Sequence, residues 1–297
     1  MTTDHLPPHP SGDLFRGLFD DASLFPPAEL PMRAAVAAHV RHSGAWYHSL
    51  TGPFVCPAAR LDELRTVLTA ANVPEIDLAL VVADGAAAVA AATGAVAADP
   101  RLRLRAVEVP AARSGGQGHS AAEVAAALDG ALLAGAACYI EIPIGVLADP
   151  ATSAEVLAII DGRGYRPKLR TGGLSAAAFP DEPTLAAALA AVADRNVPFK
   201  CTAGLHHAVR HTAADTGFEH HGFLNVLLAV GSAAAGADTA DIAGVLAHRD
   251  PALVAQQILA LDPGTTADIR GLFASFGTCS IDEPLADLIA LELISQS

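Results

Sequence analysis

Short runs of β-branched and aromatic residues alternate with longer Ala/Leu-rich runs along most of the chain, and that alternation predicts strands separated by helices. Strands are expected at "PFVC" from Pro53, "DLALVV" from Asp77, "LRLRAVEV" from Leu102, "ACYIEI" from Ala137, "RPKLRT" from Arg166, "PFKCT" from Pro198 and "LFASFG" from Leu272. Helices are expected over 60–71, 85–97, 120–134, 153–162 and 182–196, and Ser120-x-x-Glu123 has the form of a capping box. Repeated strand–helix units call for a parallel sheet, and 297 residues suit a TIM-like α/β barrel. Seven strands are visible, however, and 221–262 reads as two or three successive helices before the last of them. Either an eighth strand is hidden in the first fifty residues or the barrel is incomplete and irregular. The Pro-, Asp- and Phe-rich stretch 1–27 is expected to wrap the outside, with a helix over 29–41 covering one end. Residues 1–50 are thus read as an N-terminal helical extension of a single domain over 1–297, since neither a linker nor an internal repeat divides the chain.

Composition changes the picture mainly by exclusion. Hydrophobic residues make up 52% and charged residues 17%, which supplies ample core. A formal charge of −14, with no basic run or basic helix face, argues against nucleic acid and membrane surfaces as partners. The start "MTTDHLPPHPSGD" has neither a basic nor an apolar leader region, and no run is long enough to span a bilayer, so a cytoplasmic location is expected. Cys56, Cys138, Cys201 and Cys279 are widely spaced in apolar stretches and read as buried reduced thiols.

Candidate chemistry lies where a parallel barrel carries it, at the C-terminal ends of its strands. Glu141 ends "ACYIE", Lys168 and Arg170 have same-face spacing in "KLR", and Lys200 stands two residues before Thr202 in "KCT". A lysine facing the helix layer would be costly, so these side chains are expected to point inward, joined by Glu108 if its strand has the matching parity. One reading is a salt-bridge layer that only packs. The other is that Lys200 is a desolvated amine whose pKa is lowered by neighbouring cations such as Lys168, a nucleophile toward a carbonyl, with Glu141 as proton shuttle.

The series "KLRTGG", "KCTAG" and "FGTCS" resembles the last strand ends of deoxyribose-phosphate-aldolase-type class I aldolases. The resemblance covers about twenty residues in three short pieces. It implies a Schiff-base lysine at Lys168 and an activating lysine at Lys200, the reverse of the assignment from local environment. It also implies substrate-binding roles for Thr171, Gly172, Gly173, Thr202, Gly204 and Ser280. Arg170 replaces a small residue of the family, "GLHH" follows the second lysine in place of a Gly-rich loop, and the stretch to "FGTCS" is much longer. "KLRTGG", "FKCTAGLHH", "HHGFLN" and "FGTCS" together also suggest a β/α-barrel family to which no activity attaches.

Five of the twelve histidines, His206, His207, His211, His220 and His221, crowd one stretch. They offer proton carriers, with His206 and His207 at the barrel mouth and Glu219 and Asn225 as supporting partners, or a metal site drawn from His206, His207, His220 and His221. No standard ligand spacing appears, and no metal is assigned. "RSGGQGHS" from Arg113 offers backbone donors for an anion, as does "TGG" beside Arg170, while Asp282 and Glu283 suit the start of a helix. The expectation is a cofactor-free, aldolase-like lyase, homo-oligomeric, acting on a small anionic carbonyl metabolite. The alternatives are a metal-dependent hydrolase or lyase and a non-catalytic metabolite-binding barrel.

Overall fold

The structure, a computed structural model, describes residues 12–111, 118–133 and 135–296. Its strands are β1 (Phe19–Asp21), β2 (Thr51–Pro57), β3 (Ile76–Val81), β4 (Leu102–Pro110), β5 (Ala137–Ile142), β6 (Arg166–Arg170), β7 (Phe199–Thr202), β8 (His211–Thr212), β9 (Glu219–His220) and β10 (Phe273–Thr278). Strands β1 to β7 and β10 form a closed barrel in the order β1-β10-β7-β6-β5-β4-β3-β2. Every neighbouring pair is parallel, and β1 closes the ring on β2. The fold is therefore the TIM-like barrel, and it is complete.

The eighth strand is "FDD", hidden because three residues with two carboxylates carry no apolar alternation. All three are buried, so the stretch read as an outer wrap contains a staff of the barrel. The helix Met32–Ser43 correspondingly links β1 to β2 and belongs to the barrel's own helix layer. The capping box forms as expected: Ser120 Oγ accepts from Glu123 N–H, and Glu123 accepts in return from Ser120 N–H.

Residues 221–262 look unlike a single βα unit because the helix Phe223–Ala234 is buried on nearly every side. Helices Thr239–Leu246, Pro251–Leu259 and Pro263–Leu272 pack around it. Its first residue, Phe223, meets Phe19 and Phe276 on the outside of the barrel wall, with ring centroids 5.7 and 5.3 Å away. Truncating such a buried ring to Ala would cost about 3–5 kcal/mol.

Alternation along each strand divides two cores. The outward residues, among them Phe54, Leu78, Leu80, Val107, Ile140, Leu169 and Cys201, join the large core under the helices. Val55, Ala79, Ala106 and Tyr139 form a separate small cluster, with Ala22, Phe25, Val81, Ala137 and Ala274 against it. These small inward side chains leave most of the bulk inside the barrel to Tyr139 and to charged residues. At the strands' N-terminal end, Arg166 donates to the Tyr139 hydroxyl, and Arg270 donates to the carbonyls of Phe273, Arg16 and Ala274.

Candidate active site inside the barrel

Pairing fixes what the strands bring together. Glu141 lies beside Lys168 and Lys168 beside Lys200 in the sheet register, so all three share the inner face. Glu108 has the parity that the sequence left open, and Asp20 enters from β1. The result is a line of alternating charges. Arg170 Nε donates to Glu141 Oε1 at 2.8 Å, and Lys168 Nζ meets Glu141 Oε2 at 3.0 Å. Lys168 reaches Glu108 Oε2 at 2.8 Å, and Lys200 reaches the other oxygen of that carboxylate at 2.6 Å. Lys200 also pairs with Asp20, which accepts from Ser275 Oγ at 2.8 Å.

Exposure falls steadily along this line. The side chains of Arg170, Glu141, Lys168 and Lys200 are 47%, 18%, 5% and 1% exposed. Only the Arg170 end meets water freely. Lys200 Nζ lies 5.3 Å from the centroid of the Tyr139 ring, which adds a cation–π contact.

The electrostatics differ from the expected setting. Burial by itself disfavours a charged amine, but Asp20 and Glu108 outweigh it and raise the Lys200 pKa above the ordinary lysine value. The expected depression of Lys200 by cationic neighbours is thus corrected: its nearest charges are carboxylates, and Lys168 stands behind a shared Glu108. Burial acts against the Glu108 anion too, yet Lys168 and Lys200 hold its carboxyl down at about 2. Asp20 moves the other way, raised by burial that Lys200 only partly offsets. The proton shared in the Asp20–Lys200 corner is consequently hard to remove.

Several residues expected at a substrate are committed to the scaffold. Thr171 is fully buried; its N–H donates to Thr202 O at 3.0 Å and its hydroxyl donates to Ala203 O. Thr202 is half-buried at the end of β7. A Cβ on Gly172 would lie 2.6 Å from Gly204 Cα, and Gly204 has φ +78, so these glycines let the ends of β6 and β7 touch backbone to backbone. Gly173 is similarly pressed against Ala178. The Ser280 hydroxyl accepts from Glu283 N–H at 3.4 Å, at the start of helix Asp282–Ala290.

The histidines separate into unlike sites. His206 Nδ1 lies 2.9 Å from Glu283 Oε2 and 3.7 Å from Cys279 Sγ, so Glu283 does more than favour a helix end. His207 pairs with Asp287, which also accepts from Ala208 N–H. His211 and His220 face each other across the β8–β9 hairpin with ring centroids 5.2 Å apart. His221 is fully buried, its Nε2 2.8 Å from Pro180 O and its Nδ1 3.2 Å from Arg210 Nη1. That pattern fixes a neutral ring that donates from Nε2. Among the described residues no three His, Cys, Asp or Glu side chains are grouped to hold a metal ion, so the four-histidine ligand set is not assembled. Asn225 bonds Arg210 N–H and the carbonyls of Val245 and His248, while Glu219 pairs with Arg210 and Arg249. Both are bracing residues of the hairpin.

Asp20 and Ser275 were not singled out from the sequence, and Cys279 was read there only as a buried reduced thiol, which it is. The one available signal for Asp20 was a pair of carboxylates set between apolar residues in "LFDDAS". Residues 112–117, most of the Gly-rich loop, lie outside the described residues. All four cysteines are free and buried. Among the described residues no helix is long and apolar enough to cross a membrane. The fold and site together define a TIM-like barrel with a buried lysine–carboxylate line. In comparison with known proteins, no family model matches the chain and no curated protein matches it.

Proposed function

We propose that this chain is a lyase of the aldolase type, acting through a Schiff base on a small carbonyl metabolite that carries an anionic group. The observation that carries the reading is one carboxylate, Glu108, bound by both lysines, with the line open to water only beyond Lys168. This asymmetry favours Lys168 as nucleophile, in agreement with what the aldolase resemblance implies. Lys200, deeper and clamped by two carboxylates, serves as the fixed cation. Arg170, 47% exposed, is the cation that an incoming carboxylate or phosphate meets first.

In this scheme Glu141 takes one proton from Lys168, the freed nitrogen pair forms a C–N bond to the carbonyl carbon as the C–O π pair moves onto oxygen, and a second proton passes from that nitrogen to the oxygen to give the carbinolamine. Glu141 then returns its proton to the carbinolamine oxygen, which leaves as water and gives the iminium ion. Glu108 holds both ammonium groups in place throughout. A small anionic substrate and a homo-oligomeric assembly belong to the same proposal.

Borohydride trapping tests it. The protein is incubated near neutral pH with a panel of small aldehydes, keto acids and sugar phosphates, reduced, and peptide-mapped. The expected adduct is on Lys168, absent in Lys168→Met and slowed in Lys200→Met. An adduct on Lys200 would reverse the roles, and a panel that labels neither lysine removes the Schiff-base mechanism in favour of a binding barrel.

A further inference from the structure

Cys279 follows β10 directly, four residues beyond Ser275 and two beyond Gly277, and thus continues the sequence parity of the residue that bonds Asp20. It lies at the C-terminal end of the barrel, on the side where the loop after β7 brings His206. The sulfur is 3.7 Å from His206 Nδ1, and that nitrogen is 2.9 Å from Glu283 Oε2. Thiol, imidazole and carboxylate thus meet at one ring nitrogen. Burial opposes a charged His206, but its bonds to Cys279 and Glu283 prevail and raise its pKa to about 9. A ring protonated at neutral pH presents Nδ1–H to both neighbours.

The other three cysteines supply a contrast. Cys56 and Cys138 are buried among apolar side chains that push their thiols up to about 12 and about 11, and Cys201 is pushed up as well. Cys56 donates to the backbone carbonyl of Pro57 and Cys138 to that of Ala136. Among the described residues, Cys279 is the one cysteine with a hydrogen bond to an imidazole. It is 8% exposed and the histidine side chain 15%, so the pair borders the surface without being fully solvated.

From this geometry we infer that Cys279 is a nucleophilic thiol at the barrel mouth, activated by the His206–Glu283 pair, and that it takes soft carbon electrophiles. With iodoacetamide the thiol proton passes to water and the sulfur pair forms an S–C bond. Iodide leaves with the C–I pair, so one proton and one iodide are released for each thioether formed. The inference stands apart from the lysine mechanism, since neither lysine takes part.

The test is native alkylation at pH 7 with limiting iodoacetamide, followed by peptide mapping of all four cysteines. A positively charged imidazole beside a thiol favours the thiolate, which is the form that alkylates. Cys279 is therefore expected to label at least about tenfold faster than Cys56, Cys138 and Cys201. His206→Gln removes the cation and should cut the Cys279 rate by about tenfold while the other three stay unchanged. Glu283→Gln keeps the shape of the site and should slow labelling in the same direction, which guards against a folding defect in the first variant. Equal rates at all four cysteines, labelling only in denaturant, or a Cys279 rate indifferent to both variants would each overturn the assignment.

Discussion

Two polar regions share this barrel, and they are built on opposite rules. Inside, strand parity stacks Asp20, Lys200, Glu108, Lys168, Glu141 and Arg170 into one line in which each charge meets its opposite. Outside the C-terminal end, the segment after β7 spreads His206, His207, His211, His220 and His221 over separate partners. The line is cooperative: no member can be removed without leaving a neighbour short of a counter-charge. The histidine segment is more modular: His206, His207 and His221 each have their own carboxylate, carbonyl or arginine, while His207, His211 and His220 also pack ring on ring. Regular backbone can impose a shared network, whereas a loop places side chains one at a time.

The contrast can be broken most forcefully at Glu108. Glu108→Gln leaves two buried ammonium groups without their common anion, and a loss of about 3–5 kcal/mol is expected in urea denaturation at pH 7. A loss under about 1 kcal/mol would show the line to be a set of independent pairs. The histidine side has its own large term at His221, which burial, together with the nearby Arg210 charge, lowers to about 4 despite the Pro180 bond. Because its folded pKa is depressed, its contribution is present above the unfolded value near 6.5 and is lost as pH falls from there toward 4. That contribution is on the order of 3 kcal/mol. Glu108 follows the same sign lower down, its stabilisation fading between about pH 4.5 and 2. Urea titrations across pH should therefore show two acid windows, and His221→Gln should flatten only the upper one. A lesser effect is expected at Gly52, where a Cβ would stand 2.2 Å from Asp20 Oδ1. Gly52→Ala should cost about 1–3 kcal/mol by displacing the end of the charged line. Unchanged stability would mean that Asp20 is free to turn.

The same contrast governs what could be read from the residues. Lys168 and Arg170, two apart in an apolar strand, could be assigned to one face from alternation alone, and Glu141 and Lys200 followed from strand position. The sign of their surroundings could not, because it depends on which strands pair. Glu108 and Asp20 come from strands 60 to 180 positions away in sequence from the lysines they bind, as the separations of 92 and 180 residues to Lys200 record. A three-residue first strand gave no periodicity to find. The glycines after β6 and β7 were legible as glycines but not as a backbone crossing, since a motif shows the missing Cβ and not the Cα facing it. In the histidine segment, spacing said nothing of partners, because Pro180, Asp287 and Glu283 arrive from other elements.

The smallest expected effect is also the most selective. Glu283 is 44% exposed, so its pair with His206 is open to water and salt and should contribute no more than about 1 kcal/mol to stability. Its influence on the imidazole is tied to that figure by linkage, since one unit of pKa shift corresponds to about 1.4 kcal/mol. In Glu283→Gln the denaturation midpoint should therefore move only slightly, and the His206 ring signal in a proton NMR titration should shift its midpoint from about 9 by no more than about one unit toward the ordinary value. The sign follows from the raised folded pKa: what little stability the charged pair gives is present below the unfolded value near 6.5 and disappears as pH rises through the folded one. If the midpoint stays near its starting value, the sulfur of Cys279 holds the proton on its own, and Cys279→Ser combined with Glu283→Gln should then bring it down. If instead stability falls as far as in Glu108→Gln, the histidine segment is coupled to the barrel interior and its modular character is lost.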